Sequence, residues 1–277
     1  GTAGSLVQVR EVINELMNLA KASDLTCLVI GHITKGGAIA GPKTLEHMVD
    51  TVIHLEGSTE VDNRVLRVLK NRFGSTNELG LFKMSEKGLT RDSSVSYSFI
   101  SNSDIEDAYG RAVSCVVEGS RSIIVEIQGL VIENKFSGGK KISSGIDNNR
   151  LSVLMAIIDK YFEVPVSYHD TYLNVVGGYK LGTSDGDLAI LASLISSFYK
   201  KSISNKTAFV GEVGLLGEVR CVPSMEKRIK ELEMQNFKKI VLSKRSALKY
   251  SSSSAIELIG ITKAVELKRY LFQQLEE

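Results

Sequence analysis

The chain has 277 residues, 43% of them hydrophobic and 24% charged, with a net charge of +2. At roughly 150 residues per domain that length suggests two domains. The apolar content excludes a disordered chain, no uncharged apolar run approaches the roughly 18 residues of a membrane span, and three scattered cysteines (Cys27, Cys115, Cys221) fit neither a disulfide framework nor a zinc knuckle. Residues 5–22 repeat apolar side chains at three- and four-residue steps (Leu6, Val9, Ile13, Leu16, Ala20), the period of an amphipathic helix. The apolar run 26–30 reads as a strand buried on both faces. Helix followed by buried strand points to an α/β sheet. A Gly-rich loop at 35–42 leads to a short helix near 43–49, then to strands at 51–55, 65–69 and 79–84.

Between 86 and 110 the chain turns polar and rich in Ser and Asp, which places a domain junction there. Strands follow at 112–118 and 122–130 around a turn at Gly119. Residues 147–162 read as a helix with Asp147 as its cap. A strand at 173–176 ends in Gly177-Gly178, and 185–199 is a helix. Two strands flank Gly214 and Gly217. A helix at 224–236, a strand at 240–242 and a last helix near 262–275 complete the second half.

Charge is balanced over 1–92, with 11 basic and 11 acidic residues, but not over 227–249. There Lys227, Arg228, Lys230, Lys238, Lys239, Lys244, Arg245 and Lys249 face only Glu231 and Glu233. Such a tract is either a solvated face or a phosphate-contacting surface. The segment Gly36–Thr44 looks like a phosphate-binding loop at a glance, yet Pro42 splits its Gly-Lys pair and offers no amide hydrogen. His169-Asp170, His47 and His54 have no partners at catalytic or metal-ligand spacing.

Several stretches carry a resemblance: Gly31-His-Ile-Thr-Lys35, Ala38-Ile-Ala-Gly-Pro42, Leu45-Glu-His-Met-Val-Asp50, and above all Lys70-Asn-Arg-Phe-Gly74. Val125-Glu-Ile-Gln128, Asp147-Asn-Asn-Arg-Leu151, Asn174-Val-Val-Gly-Gly178, Asp187-Leu-Ala189 and Gly211–Arg220 continue it through the second half. Together they resemble the bacterial RadA (Sms) family of RecA-like proteins. The resemblance implies an α/β chain: the C-terminal part of a RecA-like ATPase core over 1–92, without its P-loop, then an α+β Lon-protease-like domain over 93–277. It also implies that the family's zinc finger, P-loop strand and acidic Mg²⁺-site strand would precede Gly1, consistent with a chain that starts without Met. ATP and Mg²⁺ would then belong to the intact protein and zinc to its N-terminal region, with none bound by this chain alone.

By the same resemblance His32, Thr34 and Lys35 form a sensor loop near the γ-phosphate. The loop with Gly36 and Gly37, followed by Lys43, contacts DNA. Lys70 and Arg72, two apart on an extended segment and so facing one way, act on a neighbouring subunit's nucleotide as arginine fingers do. The implied protein is a DNA-dependent ATPase and helicase of recombinational repair and branch migration. It would be a cytoplasmic homo-hexamer acting on single-stranded and branched DNA beside RecA, with no membrane partner.

Lon-type peptidases use a Ser nucleophile and a Lys base. Aligned on this chain, the nucleophile position falls on Asp185 and the base position on Glu226, with Ser184 and Lys227 each one residue off. Both are degenerate, so the second half is expected to be proteolytically inactive. Lys238, Lys239, Lys244 and Arg245, with no acidic neighbour in sequence, are its expected DNA contacts. The alternatives are an active Lon-like serine peptidase and a non-enzymatic DNA-binding assembly ring.

Overall fold

The computed structural model describes residues 6–31, 44–57, 63–76, 79–91, 98–99, 108–119, 121–134 and 139–272. They fall into two compact units: Gly1–Glu56 with Asn63–Thr90, and Gly57–Asp62 with Arg91–Glu277. The chain is mixed α/β, as the alternation of its elements predicts.

The first unit holds α1 (Leu6–Ser23), α2 (Thr44–Met48), β1 (Thr51–Gly57), β2 (Asn63–Asn71), β3 (Leu79–Ser85) and β4 (Gly88–Arg91). α1 stops at Asp24, which takes a left-handed φ of 50° while the Leu25 amide reaches back to the Ala20 carbonyl. The four strands form one sheet in the order β1-β2-β3-β4, with β2 and β3 antiparallel and Asn63 opposite Lys83. The strand expected at 26–30 is not formed. Leu28 and Ile30 are 81% and 85% exposed. A strand needs a neighbour to pair its backbone N–H and C=O groups, and among the described residues no strand pairs with this run.

The second unit contains β5 (Ser98–Phe99), β6 (Arg111–Glu118), β7 (Arg121–Ile132), β8 (Lys141–Ser144), α3 (Asn148–Ile157), β9 (Asp170–Val175), α4 (Asp187–Tyr199), β10 (Thr207–Val210), β11 (Glu212–Val213), β12 (Val219–Arg220), α5 (Met225–Met234), β13 (Lys239–Ser243), α6 (Lys244–Tyr250), β14 (Glu257–Ile261) and α7 (Leu267–Phe272). Its main sheet runs β14-β13-β10-β6-β7-β9-β8, with β5 beside β7. β14, β13, β10 and β6 are mutually parallel, whereas β6, β7 and β9 alternate in direction.

Period-two alternation divides the core between the two faces of this sheet. Phe209 and Val241 join a cluster with α3 and α4, while Ala208, Val210, Ile240 and Leu242 join another with Met225, Ile229 and Leu232 of α5. α4 is buried from Asp187 to Ser197, so it is apolar nearly all round. Its serines serve the sheet: Ser196 Oγ accepts from the Gly110 amide at 2.8 Å and Ser197 Oγ from the Val131 amide at 2.9 Å. A Cβ at Gly129 would sit 2.9 Å from Ser193 Oγ, so a glycine there lets α4 approach β7. Asp147 caps α3, accepting from the Asn149 and Arg150 amides. α3 then runs into a π-helical turn at Ile158–Phe162, within the one helix expected from sequence.

Candidate functional site

Three groups of residues carry chemistry. The first lies at the end of β2 and in the turn that follows it. Lys70 is half-buried, and its Nζ donates to the carbonyls of Glu46 (2.8 Å), His47 (3.2 Å) and Val49 (2.7 Å). These are among the carbonyls that a helix end leaves unpaired, so Lys70 caps α2. Arg72 pairs with Asp50 at 3.1 Å, and its amide donates to the Asp50 carbonyl at 3.0 Å. Both cations thus turn toward the segment 46–50. Asn71 Oδ1 accepts from the Phe73 amide at 3.2 Å and faces the Thr51 hydroxyl, which fixes the turn between them. His32, Thr34, Lys35, Gly36, Gly37 and Lys43 lie outside the described residues.

The second group surrounds the degenerate peptidase positions. Asp185 sits in a single 3₁₀ turn, Ser184–Gly186, just ahead of α4. It is buried and pairs with Arg228 of α5, which is 1% exposed. The Arg228 guanidinium also donates to the Pro223 carbonyl at 3.1 Å and to the Cys115 carbonyl. Two residues on, Asp187 pairs with Arg150 of α3, and its carboxylate also accepts from the Val213 amide at 3.1 Å. Burial pushes the Asp187 carboxyl up, against the pull of Arg150 and of the Val213 amide. The start of α4 is therefore held by an arginine from each covering layer. Carboxylates at a helix N-terminus also suit its dipole.

This arrangement offers no nucleophile-and-base pair. The nucleophile position is a carboxylate neutralised by a buried guanidinium. The base position, Glu226, is exposed and pairs with Lys230 at 2.7 Å, which lowers its carboxyl and raises the Lys230 amine. Lys227 lies exposed on α5. Cys115, beside Arg228, is inert as a nucleophile because burial pushes its thiol up to about 12. Sequence reasoning missed Arg228, counting it only within the basic tract. The signal was present: Arg228 stands three residues after Met225 and four before Leu232, on the buried stripe of α5.

The third group is the basic tract. Lys238 and Lys239 lie at the start of β13, Lys244 and Arg245 just past its end on α6. Five strand residues separate them by roughly 17 Å. They form two clusters rather than one. Lys239 also has an acidic partner that the linear sequence hides: Glu257 sits opposite it in the β13–β14 register, 3.6 Å from its Nζ. Lys238, Lys244 and Arg245 are exposed. Lys244 and Arg245 lie at the carboxyl ends of the parallel strands, where open α/β sheets place ligands. Among the described residues no cluster of His, Cys, Asp and Glu could hold a metal ion, and no helix is long and apolar enough to cross a membrane.

No protein-family model matches the chain. Curated proteins do. The chain is 46% identical over 263 residues to DNA repair protein RadA of Helicobacter pylori strain 26695, a match covering 95% of this chain and 58% of that protein. It is 42% identical over 266 residues to DNA repair protein RadA of Bacillus subtilis, covering 96% and 58%. It is 40% identical over 272 residues to DNA repair protein RadA of Streptococcus pyogenes serotype M3, covering 98% and 60%. The chain thus spans under two thirds of the curated relatives it matches. Over nearly all of its own length it resembles the C-terminal portion of the bacterial RadA proteins.

Proposed function

We propose that this chain is the C-terminal portion of a RadA-type DNA repair protein, and that the whole protein is an ATP-driven DNA translocase. In this reading the protein is a cytoplasmic homo-hexamer on single-stranded and branched DNA, working with RecA in recombination and branch migration. The observation that carries it is the turn Lys70–Gly74 in a chain 40–46% identical to the three RadA proteins above. Two cations fixed on one turn suit the charge that develops on a transferred phosphoryl group. In this reading the nucleotide and its Mg²⁺ belong to other parts of the protein, and this chain contributes Lys70 and Arg72. The exposed Leu28, Val29 and Ile30 fit a segment that more of the ATPase domain would bury.

The second unit serves in this reading as a ring-forming DNA holder without peptidase activity. The buried Asp185–Arg228 pair supports that, because it fills the nucleophile position with a spent charge. Phosphate contacts from Lys244 and Arg245 would carry no sequence information. In the full-length protein, Lys70→Ala and Arg72→Ala should each slow DNA-stimulated ATP hydrolysis by roughly 10³-fold or more while nucleotide binding persists. Turnover at the parental rate in either variant contradicts the assignment.

A further inference from the structure

Lys70 and Arg72 are both occupied within their own chain. An ammonium group has three N–H donors. Lys70 spends all three on carbonyls, those of Glu46 (2.8 Å), His47 (3.2 Å) and Val49 (2.7 Å). Arg72 faces the Asp50 carboxylate at 3.1 Å, so part of its charge is already offset. These four acceptors all lie in the segment 46–50, the end of α2 and the residues just after it. A cation that stabilises a transferred phosphoryl group has to donate to its oxygens. Lys70 has no donor left for that, and Arg72 would have to share its charge. The arrangement seen here and the one in which these cations serve a nucleotide are therefore two different states of the same side chains.

We propose that the segment 46–50 is a catch: it holds Lys70 and Arg72 back from the neighbouring subunit's nucleotide, and the cations act only once it releases them. The inference rests on the reading of Lys70 and Arg72 given above and adds a regulation to it. The energetics suit a reversible device. The side chains of Arg72 and Asp50 are 55% and 44% exposed, and ion pairs in water are weak. The carbonyls that hold Lys70 are neutral, whereas a phosphate oxygen is charged and the stronger acceptor. A phosphate brought within reach thus competes well for Lys70. The backbone need not move on release. The Arg72 amide donates to the Asp50 carbonyl at 3.0 Å, and the Phe73 amide donates to Asn71 Oδ1 at 3.2 Å; neither bond involves the side chain of Lys70 or Arg72. A ligand that opens the catch does so by binding the released state better than the held one.

The test uses the full-length protein and reads ATP turnover at saturating ATP without added DNA, the resting rate. Asp50→Asn removes the charge that faces Arg72 and keeps the side chain's size. His47→Gly loosens α2 at an exposed position, so the carbonyls that converge on Lys70 are held less firmly. Each variant should raise the resting rate by about 2–5-fold, the factor that one exposed ion pair or one helical glycine supplies. Asp50→Glu should raise it less than Asp50→Asn. In an Arg72→Ala background Asp50→Asn should give no gain. An unchanged resting rate in Asp50→Asn overturns the proposal. A lower rate with parental thermal unfolding also overturns it, because Asp50 would then be positioning Arg72 for the reaction rather than restraining it. A gain that persists without Arg72 overturns it as well. Lys70→Ala and Arg72→Ala report separately on the underlying reading. If both keep full turnover, the cation reading fails; if both lose turnover and Asp50→Asn gains nothing, only the catch fails.

Discussion

Asp185 and Arg228 show how one residue pair settles the character of a site. Each is a charge taken out of water, and each is tolerable only because the other is there. Removing one partner should therefore cost far more than removing both. Asp185→Ala leaves the Arg228 guanidinium buried with only carbonyl partners and should destabilise the second unit by about 3–5 kcal/mol. The double variant Asp185→Leu with Arg228→Met should recover most of that loss. Chemical denaturation of the two variants measures it, and a single variant that costs under about 1 kcal/mol would mean the pair does not hold the turn. Neither partner's role was legible in sequence. In sequence, Asp185 stands out only as a mismatch to a peptidase motif, and Arg228 only as one of eight cations in a basic tract. An arginine on an apolar helical stripe differs from its neighbours only once the stripe is counted.

Elements with strong periodicity were legible, and those defined by their partners were not. α1, α3, α4, α5, β6 and β7 follow from apolar spacing and from an Asp cap. Between 243 and 261 the sequence analysis assigns no element, so neither α6 nor β14 is anticipated. β14 is five residues long and interrupted by Gly260, so little in its own pattern marks it; it is a strand because β13 lies beside it. The same effect works in reverse at 26–30, whose sequence suits a strand that no neighbour supports. Pairing also rewrites the basic tract, since Glu257 is eighteen residues from Lys239 in sequence and adjacent to it in the sheet. That sharpens the expectation for DNA binding. Neutralising Lys244 and Arg245 together should lower the salt slope of single-strand DNA binding by about 1.4, roughly 0.7 per phosphate contact, for any sequence. Lys239→Gln should change it by less, because Glu257 already offsets that charge. Binding titrations over a salt series measure both. An unchanged slope for the Lys244 and Arg245 double variant means that their end of β13 is only a solvated surface.

The whole chain divides into two units with different debts to the rest of the protein. The second has two core clusters, one on each face of its sheet, and every buried ion pair described for it closes within it. The first leaves α1 and the run 25–30 largely in water. It carries the turn Lys70–Gly74, which was legible at once as a motif but whose wiring was not: no spacing rule links Lys70 to the end of α2 or Arg72 to Asp50. The central claim is that Lys70 and Arg72 serve a nucleotide held by another subunit. The direct measurement is ATP hydrolysis by mixed assemblies of two inactive full-length proteins, one impaired in nucleotide binding and the other carrying Lys70→Ala. If the cations act in trans, some interfaces in the mixture join an intact nucleotide site to an intact Lys70, and turnover should reappear in proportion to those interfaces. Mixed assemblies that form normally yet stay as inactive as either parent would contradict it.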